Sequence, residues 1–161
     1  MDVIMNITKK DKLFYFYEEM ALKEIVGIRY SDNYIGESGA KDLIKRISRA
    51  FNMSEPGFLY TRKDSGFCYY RALNNSIYFN RMWGLTTPIV LHEMCHALLN
   101  HKNIPDNNHD KNFAREWIDI VSRMWEIEPE QFEKLADKLN VEYTPRIVKN
   151  TVTAYKPKYG N

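Results

Sequence analysis

A chain of 161 residues, 44% hydrophobic and 27% charged, fits one domain with a real core, and a formal net charge of only +2 leaves nucleic acid as a partner allowed but not implied. Two cysteines, Cys68 and Cys95, cannot build a disulfide framework and fit a reducing, cytoplasmic setting, or a host's cytoplasm if the chain is virus-encoded. Without a basic n-region, an apolar h-region or a run of about 18 apolar residues, neither export nor a membrane span is expected.

In chain order, Leu13, Phe14, Phe16, Tyr17, Met20, Ala21, Leu22 and Ile25 recur at helical spacing over residues 11–26, and Gly27 closes the pattern. A second helical run, Leu43, Ile44, Ile47, Ala50 and Phe51, extends over residues 38–51 with Ser38 as its cap. Aromatic and β-branched runs at residues 58–62, 66–71 and 76–80, separated by turn residues, read as three short, largely antiparallel strands. Thr87 and Pro88 open a third helix carrying Ile89, Val90, Leu91, Met94, Ala97 and Leu98, which ends near residues 100–102. After a loop at residues 104–108, Phe113, Trp117, Ile120, Val121 and Met124 mark a helix over residues 109–125, and Pro129 opens a last one through Phe132, Leu135, Ala136 and Leu139. The expectation is an α+β domain over residues 1–143, a small antiparallel or mixed sheet packed against helices, followed by a basic tail with Tyr and Pro over residues 144–161. Nothing in the sequence specifies an oligomeric state.

The third helix carries His92-Glu93-Met94-Cys95-His96. Residues four apart share a helix face, so His92 and His96 can present two imidazoles to one metal ion while Glu93 projects beside them toward a bound water. Imidazole suits zinc, and a catalytic Zn²⁺ site takes three protein ligands and leaves one position open, so the third ligand comes from elsewhere. All 4 histidines lie between positions 92 and 109, which makes His101 and His109 the first suspects. His101 stands about 140° round the helix from His96 and reads as a solvated helix-end histidine. Leu99 and Lys102 occupy the positions where a metzincin has Gly and His, which excludes that subclass. His109, after a turn-rich loop, can be brought back over the motif helix; Glu116, on the same predicted face, is its rival and would complete a site of two histidines and a glutamate. The chemistry is that of a zinc peptidase, with Glu93 as general base. Arg62, Lys63 and Arg71 beside Tyr60, Tyr69 and Tyr70 could stack single-stranded nucleic acid, but such residues more simply pack a small sheet. Arg146, Lys149, Lys156 and Lys158 among Tyr143, Tyr155 and Tyr159 suit a weak polyanion contact better, although a solvated terminus is the simpler reading.

The segments Ser76-Ile77-Tyr78-Phe79-Asn80, Trp83, Ile89-Val90-Leu91-His92-Glu93-Met94-Cys95-His96-Ala97 and His109-Asp110-Lys111-Asn112-Phe113 resemble the SprT-like zinc metalloproteases, which include the Spartan proteases. The resemblance covers about residues 76–117. It implies a zincin-like core, Zn²⁺ on His92, His96 and His109, Glu93 as base, and endopeptidase activity on protein or peptide substrates. Asp110 stands where that family commonly has Gly. The cysteine-rich ribbon that often follows the family's protease core has no counterpart in this sequence, so DNA dependence is not part of what the resemblance implies here. The motif helix also resembles, more weakly, that of the ImmA/IrrE-like metallopeptidases, whose third ligand is typically acidic and would correspond to Glu116. The alternative function is a regulatory or inhibitory binding module that keeps the zinc scaffold, for which an intact Glu93 has no chemical need.

Overall fold

In the computed structural model, which describes residues 8–29, 33–62 and 66–147, the elements run α1 (Lys9–Ala21), α2 (Gly36–Ala50), β1 (Gly57–Tyr60), β2 (Tyr69–Arg71), β3 (Ser76–Phe79), α3 (Thr87–His101), α4 (Lys111–Trp125) and α5 (Pro129–Leu139). The architecture is α+β, five helices with one small sheet among the described residues. Helices α1 and α4 start where a side chain relieves their free N–H groups. Thr8 Oγ1 accepts from the Asp11 N–H at 3.1 Å and Asp11 Oδ2 accepts from the Thr8 N–H at 2.9 Å, a capping box that starts α1 ahead of its apolar stripe. A π-helical turn over Leu22–Val26 then runs into Gly27 at φ +83°, the left-handed stop that the sequence announces.

Three boundaries differ from expectation. Ser38 lies inside α2 and caps nothing, because Gly36 at φ +66° makes the entry turn. The cap position of α3 is Thr86, one residue before Thr87, with Pro88 in the first turn as expected. Helix α4 begins at Lys111 and not at His109, because Asp110 accepts from the Asn112 N–H at 2.9 Å and the Phe113 N–H at 3.1 Å.

The sheet is mixed, in the order β1-β3-β2. Strands β2 and β3 form an antiparallel hairpin through a short 3₁₀ turn and Asn75 at φ +44°. Strand β1 pairs in parallel on the other edge of β3, Gly57 opposite Ser76 and Tyr60 opposite Phe79, which corrects the largely antiparallel expectation. Turn residues identify the hairpin, but only tertiary packing decides which edge the remaining strand joins.

Helix α3 is the centre of the molecule: Val90, Leu91, Met94, Cys95, Ala97, Leu98 and Leu99 are all buried. Helix α4 covers it with Phe113, Ala114, Trp117 and Val121, and α1 adds Phe14 and Tyr17. Phe14, Phe113 and Trp117 meet edge to face, with Phe14 5.1 Å from Phe113 and 6.2 Å from Trp117. Burying each such ring contributes about 1.5–3 kcal/mol, and this cluster lies directly behind the motif histidines. No helix among the described residues is long and apolar enough to cross a membrane. Of the expected tail, Thr144 is tied to α4 by its N–H on the Lys111 carbonyl at 2.9 Å, and Arg146 pairs with Glu130 and Glu133. Residues 148–161, and with them Lys149, Tyr155, Lys156, Lys158 and Tyr159, lie outside the described residues, as does Lys63.

Candidate metal centre

Helix α3 presents His92 and His96 on one face, their ring centroids 5.3 Å apart. His109 arrives from the loop between α3 and α4. Asn108 at φ +50° and His109 at φ +54° are both left-handed, a conformation that costs a non-glycine residue on the order of 1–3 kcal/mol when the surroundings must enforce it. The two successive left-handed residues turn the imidazole back onto α3 before Asp110 starts the next helix. His109 Nε2 lies 2.8 Å from His92 Nε2, and His92, His96 and His109 each offer one nitrogen within 4.8 Å of the others. His101 is exposed at the end of α3. Glu116 is buried but accepts from Lys102 Nζ at 2.6 Å, and it does not join the convergent group.

The opposite nitrogen of each imidazole meets a carboxylate. His92 Nδ1 is 3.3 Å from both oxygens of Glu18, His96 Nδ1 is 2.5 Å from Asp106, and His109 Nδ1 is 2.9 Å from Asp11. An ionised carboxylate only accepts, and Asp11 and Asp106 are held below the ordinary range, so Nδ1 carries the proton on His109 and His96 and their Nε2 lone pairs turn inward; His92 does the same once Glu18 is ionised, the state that a cation among the Nε2 atoms favours. Two lone pairs 2.8 Å apart repel each other unless a cation lies against them, so the donor set fits a metal ion. Trp117 Nε1–H donates to Glu18 at 2.8 Å and fixes that carboxylate.

The electrostatics follow from burial. Burial first, with the neighbouring imidazole next for His109, pulls His92 and His109 down to about 4, which keeps both rings neutral. Burial pushes Glu18 up to about 8 against the pull of His109 and Trp117. His96 is pulled down by burial, but its hydrogen bond to Asp106 and the charge of Glu93 outweigh that and leave it above the ordinary value. A cation among the Nε2 atoms would reinforce the neutral rings and the ionised Glu18 alike.

Sequence reasoning missed these three carboxylates. Asp11, Tyr15 and Glu18 share one face of α1 by their spacing, which is a signal, but acidic residues on a helix ordinarily read as solvated. Asp106 sits in a loop with no periodicity to mark it.

Glu93 is 5% exposed. Its carboxylate accepts the backbone N–H of Tyr70 in β2, while Oε2 is buried without a partner among the described residues. That oxygen is a buried acceptor without a partner, on a side chain that feels the charges of His92 and His96. Burial raises Glu93 above the ordinary carboxylate range, with His92 and His96 pulling it back. Asn100 holds the same strand by donating to Tyr70 Oη at 3.0 Å. A cleft of about 440 Å³ opens beside His96, between Tyr70, Asn100, Ile104 and Asp106.

Fold and site together define an α+β protein whose three histidines, from one helix and the loop after it, are positioned to bind a metal ion. The chain belongs to the SprT-like family, whose model matches residues 40–140. No curated protein and no solved structure matches it. The matched span contains His92, Glu93, His96 and His109 and leaves out α1, the source of Asp11, Tyr15 and Glu18.

Proposed function

We propose that the chain is a zinc-dependent endopeptidase acting on protein or peptide substrates, with a zincin-like centre in which His92, His96 and His109 hold the metal and Glu93 is the general base. The observation that carries this reading is the convergence of three imidazoles whose Nδ1 atoms are already engaged, with the unpartnered, buried Oε2 of Glu93 on the same helix as two of them. An all-imidazole donor set favours zinc over the hard cations that oxygen ligands select. Zinc bound there would lower the pKa of a water and polarise the scissile carbonyl. Glu93, held by the Tyr70 N–H, takes the proton of the attacking water on Oε2 and returns it to the leaving nitrogen as the C–N bond breaks. The cleft between β2 and the loop before α4 receives the chain to be cut. A cytoplasmic setting is part of the proposal and rests on two free cysteines, Cys68 and Cys95.

Glu93→Gln tests the reading, because the amide keeps the shape and cannot accept the proton. The variant should retain about one equivalent of zinc and lose about 10²–10⁴-fold in chelator-sensitive cleavage of casein. Equal rates for variant and parent would instead support a binding module that uses the scaffold for recognition.

A further inference from the structure

Tyr15 projects from α1 over the metal centre. Its ring stacks on His92 at 5.4 Å and 21° and tilts against His109 at 4.9 Å, so it lies over the junction where the two Nε2 atoms approach to 2.8 Å. Tyr15 is 40% exposed, against 7% for His92 and 9% for His109, so a substrate entering from solvent meets the phenol before the imidazoles. Its neighbours on the same helix face are engaged, Asp11 with His109 and Glu18 with His92.

The hydroxyl of Tyr15 makes no hydrogen bond to any described residue. Phenylalanine would stack equally well on the two imidazoles, as Phe14 does on His109 at 5.6 Å. The hydroxyl of Tyr17, two residues on and nearly opposite on the helix, is used internally, on the Phe132 carbonyl at 3.1 Å. At Tyr15 the oxygen has work only toward something outside the chain.

We propose that Tyr15 is a catalytic residue of this centre, donating its O–H to the scissile carbonyl oxygen as that oxygen gains negative charge. The inference rests on the endopeptidase reading above. The oxygen of water adds to the carbonyl carbon, its proton goes to Glu93 Oε2, and the C=O π pair moves onto the carbonyl oxygen. Tyr15 keeps its proton throughout and supplies only the hydrogen bond; a phenol ionises near about 10 and is a donor at neutral pH. When the pair returns, the C–N bond breaks and the proton on Glu93 goes to the nitrogen. A donor aimed at the developing oxyanion, and not at the ground-state carbonyl, acts on kcat more than on KM.

The test is Tyr15→Phe in the zinc-loaded full chain, read by peptide cleavage and by the binding of two dipeptide ligands. One is a phosphonamidate, which carries an oxygen at the oxyanion position; the other is a thiol, which does not. Expected are an unchanged zinc equivalent, a fall in kcat of about 10²–10³-fold, KM within about threefold, and weaker binding of the phosphonamidate alone. A kcat within about threefold of the parent, or equal weakening of both ligands, would overturn the role and reduce Tyr15 to ring packing. The two failures are distinguishable. If the parent cleaves and Glu93→Gln does not, while Tyr15→Phe matches the parent, the endopeptidase stands and this inference falls. If the parent does not cleave at all, the endopeptidase falls and the catalytic role of Tyr15 falls with it, whatever the phosphonamidate shows.

Discussion

His109, the third ligand the sequence favours, and its rival Glu116 differ in the partner each one has. Glu116 spends its charge on Lys102, whereas His109 gives Nδ1 to Asp11 and turns Nε2 toward His92. His109→Ala should therefore weaken zinc by several orders of magnitude, and Glu116→Ala should leave it within about threefold in a competitive chelator titration, since removing a ligand and removing a distant ion pair differ in kind. The reverse ranking would restore Glu116 as ligand. Glu18 belongs to the same scale. Its carboxylate is fully buried and serves His92 and Trp117 together. Glu18→Gln should cost about 10–100-fold in zinc affinity, the usual scale for a carboxylate behind a ligand histidine. The metal-free protein should melt no lower than the parent, because the change removes a buried ionisable group. A fall in metal-free melting temperature with zinc affinity unchanged would make Glu18 a packing residue only.

Element boundaries record where local signals compete. Periodicity carries α4 back to His109, but Asp110 has the side chain that satisfies the first N–H groups, and this one-residue contest frees His109 to turn left-handed toward α3. The cap and the aim of His109 are thus coupled through one peptide bond. Asp110→Ala should cost about 1 kcal/mol in urea unfolding, and zinc affinity should fall with it. Loss of stability with zinc affinity unchanged would mean that the loop alone aims His109. The link from β3 to α3 is less tolerant. A Cβ at Gly84 would stand 2.5 Å from Cys68 Sγ and 2.6 Å from the Asn80 carbonyl oxygen, so Gly84→Ala should destabilise the fold by about 1–3 kcal/mol. An alanine variant of parental stability would show that this turn can open.

At the scale of the whole molecule, burial of the centre ties stability to pH. In the metal-free protein His92 and His109 stand at about 4 against an ordinary 6.5, so their contribution is complete above about 6.5 and is lost as pH falls toward 4. Glu18, at about 8 against an ordinary 4.5, acts in the opposite sense and loses stability as pH rises between those values. Between 6.5 and 4.5 these two histidines oppose Glu18 and, on its side, Glu93 and Glu116, which burial also raises, so Glu18→Gln should make the metal-free melting temperature fall more steeply on acidification across that window than it does in the parent. Parallel curves for the two proteins by tryptophan fluorescence would contradict it. Helix-forming segments, the hairpin, the pair His92 and His96 with Glu93 between them, and the family itself were legible in the sequence, because each depends on residues close together along the chain. The parallel pairing of β1, the convergence of His109 on His92 and His96, the carboxylates behind the three imidazoles and the place of Tyr15 were decided only by the tertiary structure. Glu18 lies 74 positions from His92 and Asp11 lies 98 from His109. No periodicity spans such separations; they close only when α1 packs its aromatic face on α3 and α4, and that same packing removes the water that would otherwise have solvated these charges.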